Sequence, residues 1–521
     1  MKIKTLGLLL LMIAFTGCGI SGNKASNEQE NQVEYEESWE SLAKHNEEPG
    51  WFKDAKLGIY FHWGVYSVPA FGTEWYPRWM HFEGTDEYVH HLEKYGHPSE
   101  FGYHDFVPMF TAEEFDAEEW SSLFKKAGAR FAGPVAEHHD GFAMWDSDVT
   151  PWNAGKKGPQ RDITGEMEKA FRDQGLKFIT TFHHAKQLQR YQGIEQEEIE
   201  KLHSDIDRPM RKAFQNSHYP LFEGMPPSLN DEELNYLYGN IPENEWLEDI
   251  WFGKLKEVID KYQPDIIWFD SWLDQIPEEY QLKFCAYYLN EAEKLGKEVV
   301  IVRKQDDLPL DVSVDDLEKS RKNRLEEKAW MTDETVSSGS WCYTENLQIK
   351  PAEDVLHVLI DIVSKNGVLL LNISPKSDGT IPEEQQNVLL TMGEWLDKYG
   401  ESIYETRPWY TYGEGPTKEP EGHFSNREEF LKIKYSAKDI RYTTKENVIY
   451  SILLGSPKAN SEILLTAFSK DEWASHRAIK NVTLLGSHNK VEYKLIDAGL
   501  QLVTTDESID EMATVFKIEL K

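Results

Sequence analysis

The chain has 521 residues, 40% of them hydrophobic and 12% aromatic, with a formal net charge of −35 at pH 7. That length exceeds one ordinary core and suits a large domain with a smaller one, and the apolar share supports a packed protein without special staples. The charge argues against nucleic acid, whose phosphates would be repelled, and makes a heavily anionic polymer an unnatural partner unless the cleft is locally basic. Among the aromatics are 17 Trp, 24 Tyr and 24 Phe. Most are expected in the core, and their flat faces also suit stacking against sugar rings.

The first residues read as a targeting segment. Lys2 and Lys4 form a basic start, Leu6 to Phe15 an apolar run too short to span a bilayer, and Phe15-Thr16-Gly17-Cys18 resembles a bacterial lipobox. Phe15 stands where such motifs usually carry Leu, Val or Ile. Residues 1–18 are therefore expected to be a lipoprotein signal peptide, with Cys18 lipidated. The mature protein would be an exported bacterial lipoprotein on the periplasmic or outer-membrane/cell-surface side, meeting the membrane only through that anchor. Residues 19–48, rich in Glu, Asn, Gln and Ser, read as a flexible tether. Cys285 and Cys342 then remain as free thiols, and no disulfide or cysteine metal site is expected.

From 49 to 410 short apolar runs alternate with amphipathic segments. Strands are predicted at 57–64, 130–137, 177–184, 265–272, 298–303 and 368–373. Helices are predicted at 116–127, 165–174, 251–261, 278–295 and 352–366. Repeated strand–helix alternation points to the α/β class and a TIM-like (β/α) barrel. The polar stretch between 186 and 246 is either an insertion shaping leaving-group subsites or a solvated surface excursion. Beyond 411 short β-prone runs separated by turn residues predict a C-terminal β-sandwich to residue 521.

In such a barrel the C-terminal strand ends face the active site. Here they carry His62-Trp63, Glu137-His138-His139-Asp140, His183-His184, Asp270 and Arg303. Any one of these is as easily a hydrogen-bonded rim residue; together they favour a site. Asp270 closes the apolar run Ile266-Ile267-Trp268-Phe269, where a charge is costly without a partner. Arg303, ending the next strand, is expected to keep it ionised; the alternative is a purely structural Asp–Arg pair. Hydrolysing a glycosidic bond with retention takes two carboxyl groups about 5–5.5 Å apart.

Several stretches occur in order: Phe61-His62-Trp63-Gly64, Glu74-Trp75-Tyr76, Glu137-His138-His139-Asp140-Gly141-Phe142, Arg161-Asp162-Ile163, Trp268-Phe269-Asp270, Leu371-Asn372-Ile373-Ser374-Pro375 and Arg407-Pro408-Trp409. Through them the chain, from about 51 to 416, resembles glycoside hydrolase family 29, the α-L-fucosidases, as a divergent bacterial member. The resemblance implies a retaining exo-glycosidase acting on terminal α-L-fucose, or a close L-sugar such as L-galactose, in oligo- or polysaccharides. It needs no cofactor or metal and implies no oligomeric state. Asp270 would be the nucleophile. His62, Glu74, Trp75, His138 and His139 match positions that hold sugar hydroxyls, Trp268 lies in the stretch that ends in Asp270, Arg303 matches a family arginine near the nucleophile, and Trp341 lies in the further matching stretch Ser340-Trp341-Cys342-Tyr343. His183 or His184 stands where many members have Tyr.

The acid/base is less direct. Met331 replaces a family Glu, so Glu318 is the first candidate and Asp333 and Glu334 are the fallbacks. Two other readings compete. One is a catalytically weakened sugar-binding surface protein on the same barrel, motivated by Met331. The other is a metallohydrolase using the histidines. Against the latter, the first strand lacks His-x-His, and His138 and His139, as strand neighbours, should point apart.

Overall fold

Eight short strands close in chain order into a parallel barrel, β8 pairing back on β1. They are β1 (Leu57–Phe61), β2 (Phe131–Glu137), β3 (Lys177–Phe182), β4 (Ile266–Phe269), β5 (Val300–Lys304), β6 (Val314–Asp316), β7 (Trp330–Thr335) and β8 (Gly367–Ile373). The computed structural model describes residues 34–190, 233–238, 241–304, 306–420, 427–471, 473, 478–487, 491–504 and 510–521. The stretch expected to be a signal peptide, with Cys18, and the greater part of the 186–246 stretch lie outside these residues.

Side chains alternate along each strand. Tyr60, Phe131, Val135, Ile179, Ile266, Trp268, Val300, Val302, Val314, Met331, Val368 and Leu370 form the barrel interior. Their neighbours, such as Phe61, Phe178, Phe269, Ile301, Trp330 and Leu371, join the core shared with the helices. The helix Ala117–Lys126 is typical of that outer layer. Asp116 caps its N-terminus, accepting from the Glu118 and Glu119 amides, acids lead, Lys125 and Lys126 end it, and Trp120 and Phe124 are buried.

The apolar runs anticipated β1 to β5 and β8. They missed β6 and β7, whose sequences, Val-Asp-Asp and Trp-Met-Thr-Asp-Glu-Thr, place acids where apolar residues were sought. Among the described residues no helix separates β5 from β6 or β6 from β7. Those loops instead carry chemistry.

The expected tether also differs at its C-terminal end. From Glu34 onward the chain packs on the barrel. Tyr35 exchanges hydrogen bonds with Asn290 at 2.8 and 2.9 Å, a short helix Trp39–Leu42 follows, and His45 bonds the Val312 carbonyl at 3.0 Å. A polar average hid three apolar anchors, Tyr35, Trp39 and Leu42.

After the helix Glu383–Tyr399 the chain enters an antiparallel β domain of two sheets. One holds β9 (Arg407–Glu414), β10 (Ile440–Lys445), β11 (Val448–Leu453), β13 (Ile479–Leu484) and β16 (Thr514–Leu520). The other holds β12 (Glu462–Leu465), β14 (Glu492–Ile496) and β15 (Gly499–Val503). Ile440, Ile449, Leu453, Leu465, Leu500 and Phe516 fill the space between them.

A buried ion network docks this domain on the barrel. Asp361, on the helix Ala352–Ser364, accepts from Lys365 at 2.8 Å and from Arg441 of β10 at 2.6 Å, with Arg321 at 3.5 Å; Glu419 joins Lys365 and Arg441. Removing one member of a buried set leaves the others charged and unpaired, at a cost of about 3–5 kcal/mol. Asp361→Ala is therefore expected to lower the melting temperature well beyond any surface substitution. A calorimetric transition unchanged from wild type would show that the network does not hold the domains together.

Candidate active site

The C-terminal ends of the strands open into a cavity of about 1330 Å³. His62, Glu74, Trp75, His138, His139, His183, Asp270, Arg303, Glu318, Asp333 and Trp341 all line it. Trp268 lies in the barrel interior with its ring 5.3 Å from His183. Glu334 is outside the lining. It is tied to Lys350 at 2.8 Å, and although burial alone would raise its pKa, Lys350 holds it below the ordinary range.

The histidines converge because β2 is irregular. Val135 faces Thr181 on β3, but Glu137 faces Phe182, so one extra residue is accommodated in β2. The slip gives Glu137 the outward direction of Phe182, where it meets Lys254 at 2.8 Å. His138 then takes the inward direction of His183, and their ring centroids are 4.5 Å apart.

The expectation that His138 and His139 point apart is corrected here. The strand ends at Glu137, both imidazoles belong to the turn that follows, and their centroids are 4.5 Å apart. Of the pair His183-His184, only His183 faces the cavity; His184 stacks on Trp251. Two sets, His62/His138/His183 and His139/His183/Asp270, bring ligand atoms within 4.8 Å of one another, compact enough to hold a cation. They are equally a set of hydroxyl readers. Burial lowers His62 and His138 well below the ordinary imidazole range, so each is neutral and offers one donor and one acceptor nitrogen. His62 Nδ1 is engaged by the Asn372 side-chain oxygen at 2.8 Å, which leaves Nε2 for the cavity.

Asp270 is not paired with Arg303. Arg303 follows Ile301 on the outward face of β5 and is held by the Leu308 carbonyl, Asp306 and Asp315. Lys304, in phase with Val300 and Val302, points inward, and its Nζ donates to Asp270 Oδ1 at 3.0 Å, Glu318 Oε2 at 3.1 Å and Asp333 Oδ2 at 3.3 Å. On the other oxygen of Asp270, His183 Nδ1 and His139 Nε2 lie at 3.2 and 3.3 Å.

Burial alone would raise the Asp270 pKa, but Lys304, His183 and His139 hold it well below the ordinary carboxylate range. The ionised group therefore stabilises the fold above the unfolded value of about 3.9, and that contribution fades as pH falls toward the depressed folded value. Glu318 moves the other way. Burial raises it, Lys304 opposes, and the charges of Asp333 and Asp270 add to the rise. The site thus sets a carboxyl whose proton is readily lost beside one that retains its proton more firmly.

The walls are aromatic. Trp341 stacks on His62, with centroids 5.3 Å apart, and its amide donates to Glu74 at 3.2 Å; Trp75 lies 4.3 Å from His139. Lys186 sits over the rings of Trp75 and Trp272 at 4.3 and 4.2 Å, and burial lowers its pKa to about 7. Lys304, Lys186 and Trp272 had escaped sequence reasoning. Lys304 had a signal, the alternation from Val300 and Val302, but its phase was unreadable. Glu428 and Leu431 of the C-terminal part complete the rim.

Residues 23–401 match the family profile described as alpha-L-fucosidase, and residues 434–521 match the alpha-L-fucosidase C-terminal domain. The chain is 30% identical over 442 residues to the plasma alpha-L-fucosidase of Homo sapiens, covering 82% of this chain and 81% of that one. It is 29% identical over 437 residues to the tissue alpha-L-fucosidase of Rattus norvegicus, covering 81% and 80%. Among solved structures, the Thermotoga maritima alpha-fucosidase in complex with fucose superimposes with a TM-score of 0.68 at 27% identity, over 93% of this chain and 100% of that one.

Lys304→Met should move the acidic limb of the kcat/KM profile upward by about 1–3 pH units, because Asp270 loses its nearest positive charge. The profile is to be recorded on variant confirmed as folded by circular dichroism. An acidic limb that stays in place would mean that Lys304 does not keep Asp270 ionised.

Proposed function

The chain belongs to the α-L-fucosidase family, and we propose that it removes terminal α-L-fucose with retention, through an ester between the sugar and Asp270. It is a glycoside hydrolase. The observation that carries the mechanism is the sharing of one ammonium by Asp270 and Glu318, at 3.0 and 3.1 Å. The two carboxylate oxygens can be no farther apart than the sum of those distances. That suits the ~5–5.5 Å spacing of a retaining pair better than the ~6.5–9.5 Å of an inverting one.

In the first step an Asp270 oxygen bonds to the anomeric carbon while the glycosidic C–O bond breaks and Glu318 passes its proton to the departing oxygen. The negative charge thus leaves Asp270 and arises on Glu318, and Lys304 touches both, so it remains paired throughout. In the second step Glu318 takes a proton from water as the water oxygen attacks the same carbon and Asp270 is released. Two inversions give net retention. His62, His138, His139, Glu74 and Trp341 surround the sugar, and the neutral imidazoles read its hydroxyls by directional hydrogen bonds. The fucose bound to the Thermotoga relative supports fucose over L-galactose, which differs only at C6.

Asp270→Ala should abolish turnover. Glu318→Ala should lose about 10²–10⁴-fold on substrates with poor leaving groups. It should keep most activity on an activated aryl fucoside, with azide restoring turnover and giving fucosyl azide. A Glu318→Ala enzyme that matches wild type on every leaving group would sink the assignment of the acid.

The leader further supports export with a lipid on Cys18. Labelled palmitate should enter the wild-type protein in cells and not Cys18→Ser. Equal labelling of the two would refute the anchor.

A further inference from the structure

Two carboxyl groups next to the catalytic pair have no part in the steps above. Asp316 of β6 and Asp333 of β7 follow Val314 and Met331 on the inward face of the barrel, and are 2% and 1% exposed. Asp333 Oδ2 accepts from the Tyr60 hydroxyl at 3.2 Å and from Lys304 at 3.3 Å. Among the described residues its Oδ1 and both Asp316 oxygens are buried with no N–H or O–H donor; Asp316 pairs with Met331 across β6 and β7, so Asp333 takes the next inward position on the neighbouring strand, close enough for its charge to raise the Asp316 pKa. Two ionised carboxylates so placed would repel and leave three oxygens unsatisfied in a site without water's dielectric. One proton between them removes the repulsion and gives two of the three oxygens a partner, since the acid form of one donates to the other, as in carboxyl pairs elsewhere.

We propose that Asp316 and Asp333 share one proton, and that the charge left on Asp333 occupies part of Lys304 and so keeps Glu318 in its acid form. Asp333 is then a positioning residue rather than the acid/base. This rests on the reading of Glu318 given above. A single ammonium cannot neutralise three carboxylates. With Asp270 ionised for attack and Asp333 ionised against Tyr60 and Lys304, the proton stays on Glu318. The charged and titratable groups around Glu318 are Lys304, Asp333, Asp270, Lys319, Lys186 and Tyr60. Of these, Asp333 is the anion that takes no part in bond making. Burial and Asp333 raise Asp316 well above the ordinary carboxylate range, in keeping with its holding the shared proton.

The test uses the full-length enzyme and an aryl fucoside with a poor leaving group. Asp333→Asn should bring the basic limb of kcat/KM down by about 1–2 pH units, because Glu318 loses the neighbouring Asp333 charge and shares Lys304 with Asp270 alone. It should form no fucosyl azide. Asp316→Asn, whose amide donates the same hydrogen bond to Asp333, should keep the basic limb at its wild-type position. It should also lose one carbonyl infrared band of a buried carboxylic acid, a readout independent of turnover. An Asp333→Asn basic limb at the wild-type pH, with Glu318→Ala still rescued by azide, overturns this proposal alone. Retention of every carboxylic-acid band in Asp316→Asn overturns the shared proton even if Asp333→Asn does not fold. Fucosyl azide formed by Asp333→Asn and not by Glu318→Ala overturns the assignment of Glu318 itself.

Discussion

The ammonium of Lys304, buried at the mouth of the barrel among Asp270, Glu318 and Asp333, sets the conditions for everything around it. In a low-dielectric site each carboxylate must be paired, hydrogen-bonded or protonated, and one cation serves only part of that need. The geometry therefore dictates a proton count as well as a shape. Because Lys304 touches both carboxylates of the proposed catalytic pair, charge can pass from one to the other without any group leaving its partner. Two imidazoles, His139 and His183, stand against the far oxygen of Asp270.

The scaffold around this cluster places the loops after β5 and β6, which carry no helix among the described residues. The loop after β6 bears Glu318, and its next residue, Lys319, adopts a left-handed backbone with φ of 45°. That bend is held by the Lys319 amide on the Asp333 carbonyl at 2.9 Å and by its ammonium over the Trp341 ring at 4.2 Å. Two residues on, Arg321 is buried in the Asp361–Arg441 network, with its guanidinium over Phe430. The C-terminal β domain is thus mechanically continuous with the loop that carries Glu318, and its Glu428 and Leu431 reach the cavity rim.

Much of the fold was legible because six barrel strands are apolar runs and their helices are amphipathic and capped. The strands β6 and β7 were not, since at a barrel mouth the inward positions are the functional ones. Asp316 and Asp333 replace the apolar residues that a strand pattern requires. The site was legible at Asp270, a carboxylate closing Ile-Ile-Trp-Phe, and at the histidines that end β1 and β3. The cation was misplaced by one residue, to Arg303. In a parallel barrel both faces of a strand are buried, so Val299-Val300-Ile301-Val302 carries no phase to say whether Arg303 or Lys304 points inward.

By itself the chain determined the barrel, the β domain behind it, the family resemblance and the carboxylate at the centre. These follow from local periodicity and from residue types that cannot sit at a strand end without a partner. Only the tertiary structure decided which cation meets Asp270, that Glu318 and not Glu334 reaches the same ammonium, and that His138 joins His183. Those outcomes depend on strand phase, on the extra residue in β2 and on the closing of β8 against β1. Each is a relation between segments distant in sequence, and no local pattern encodes it.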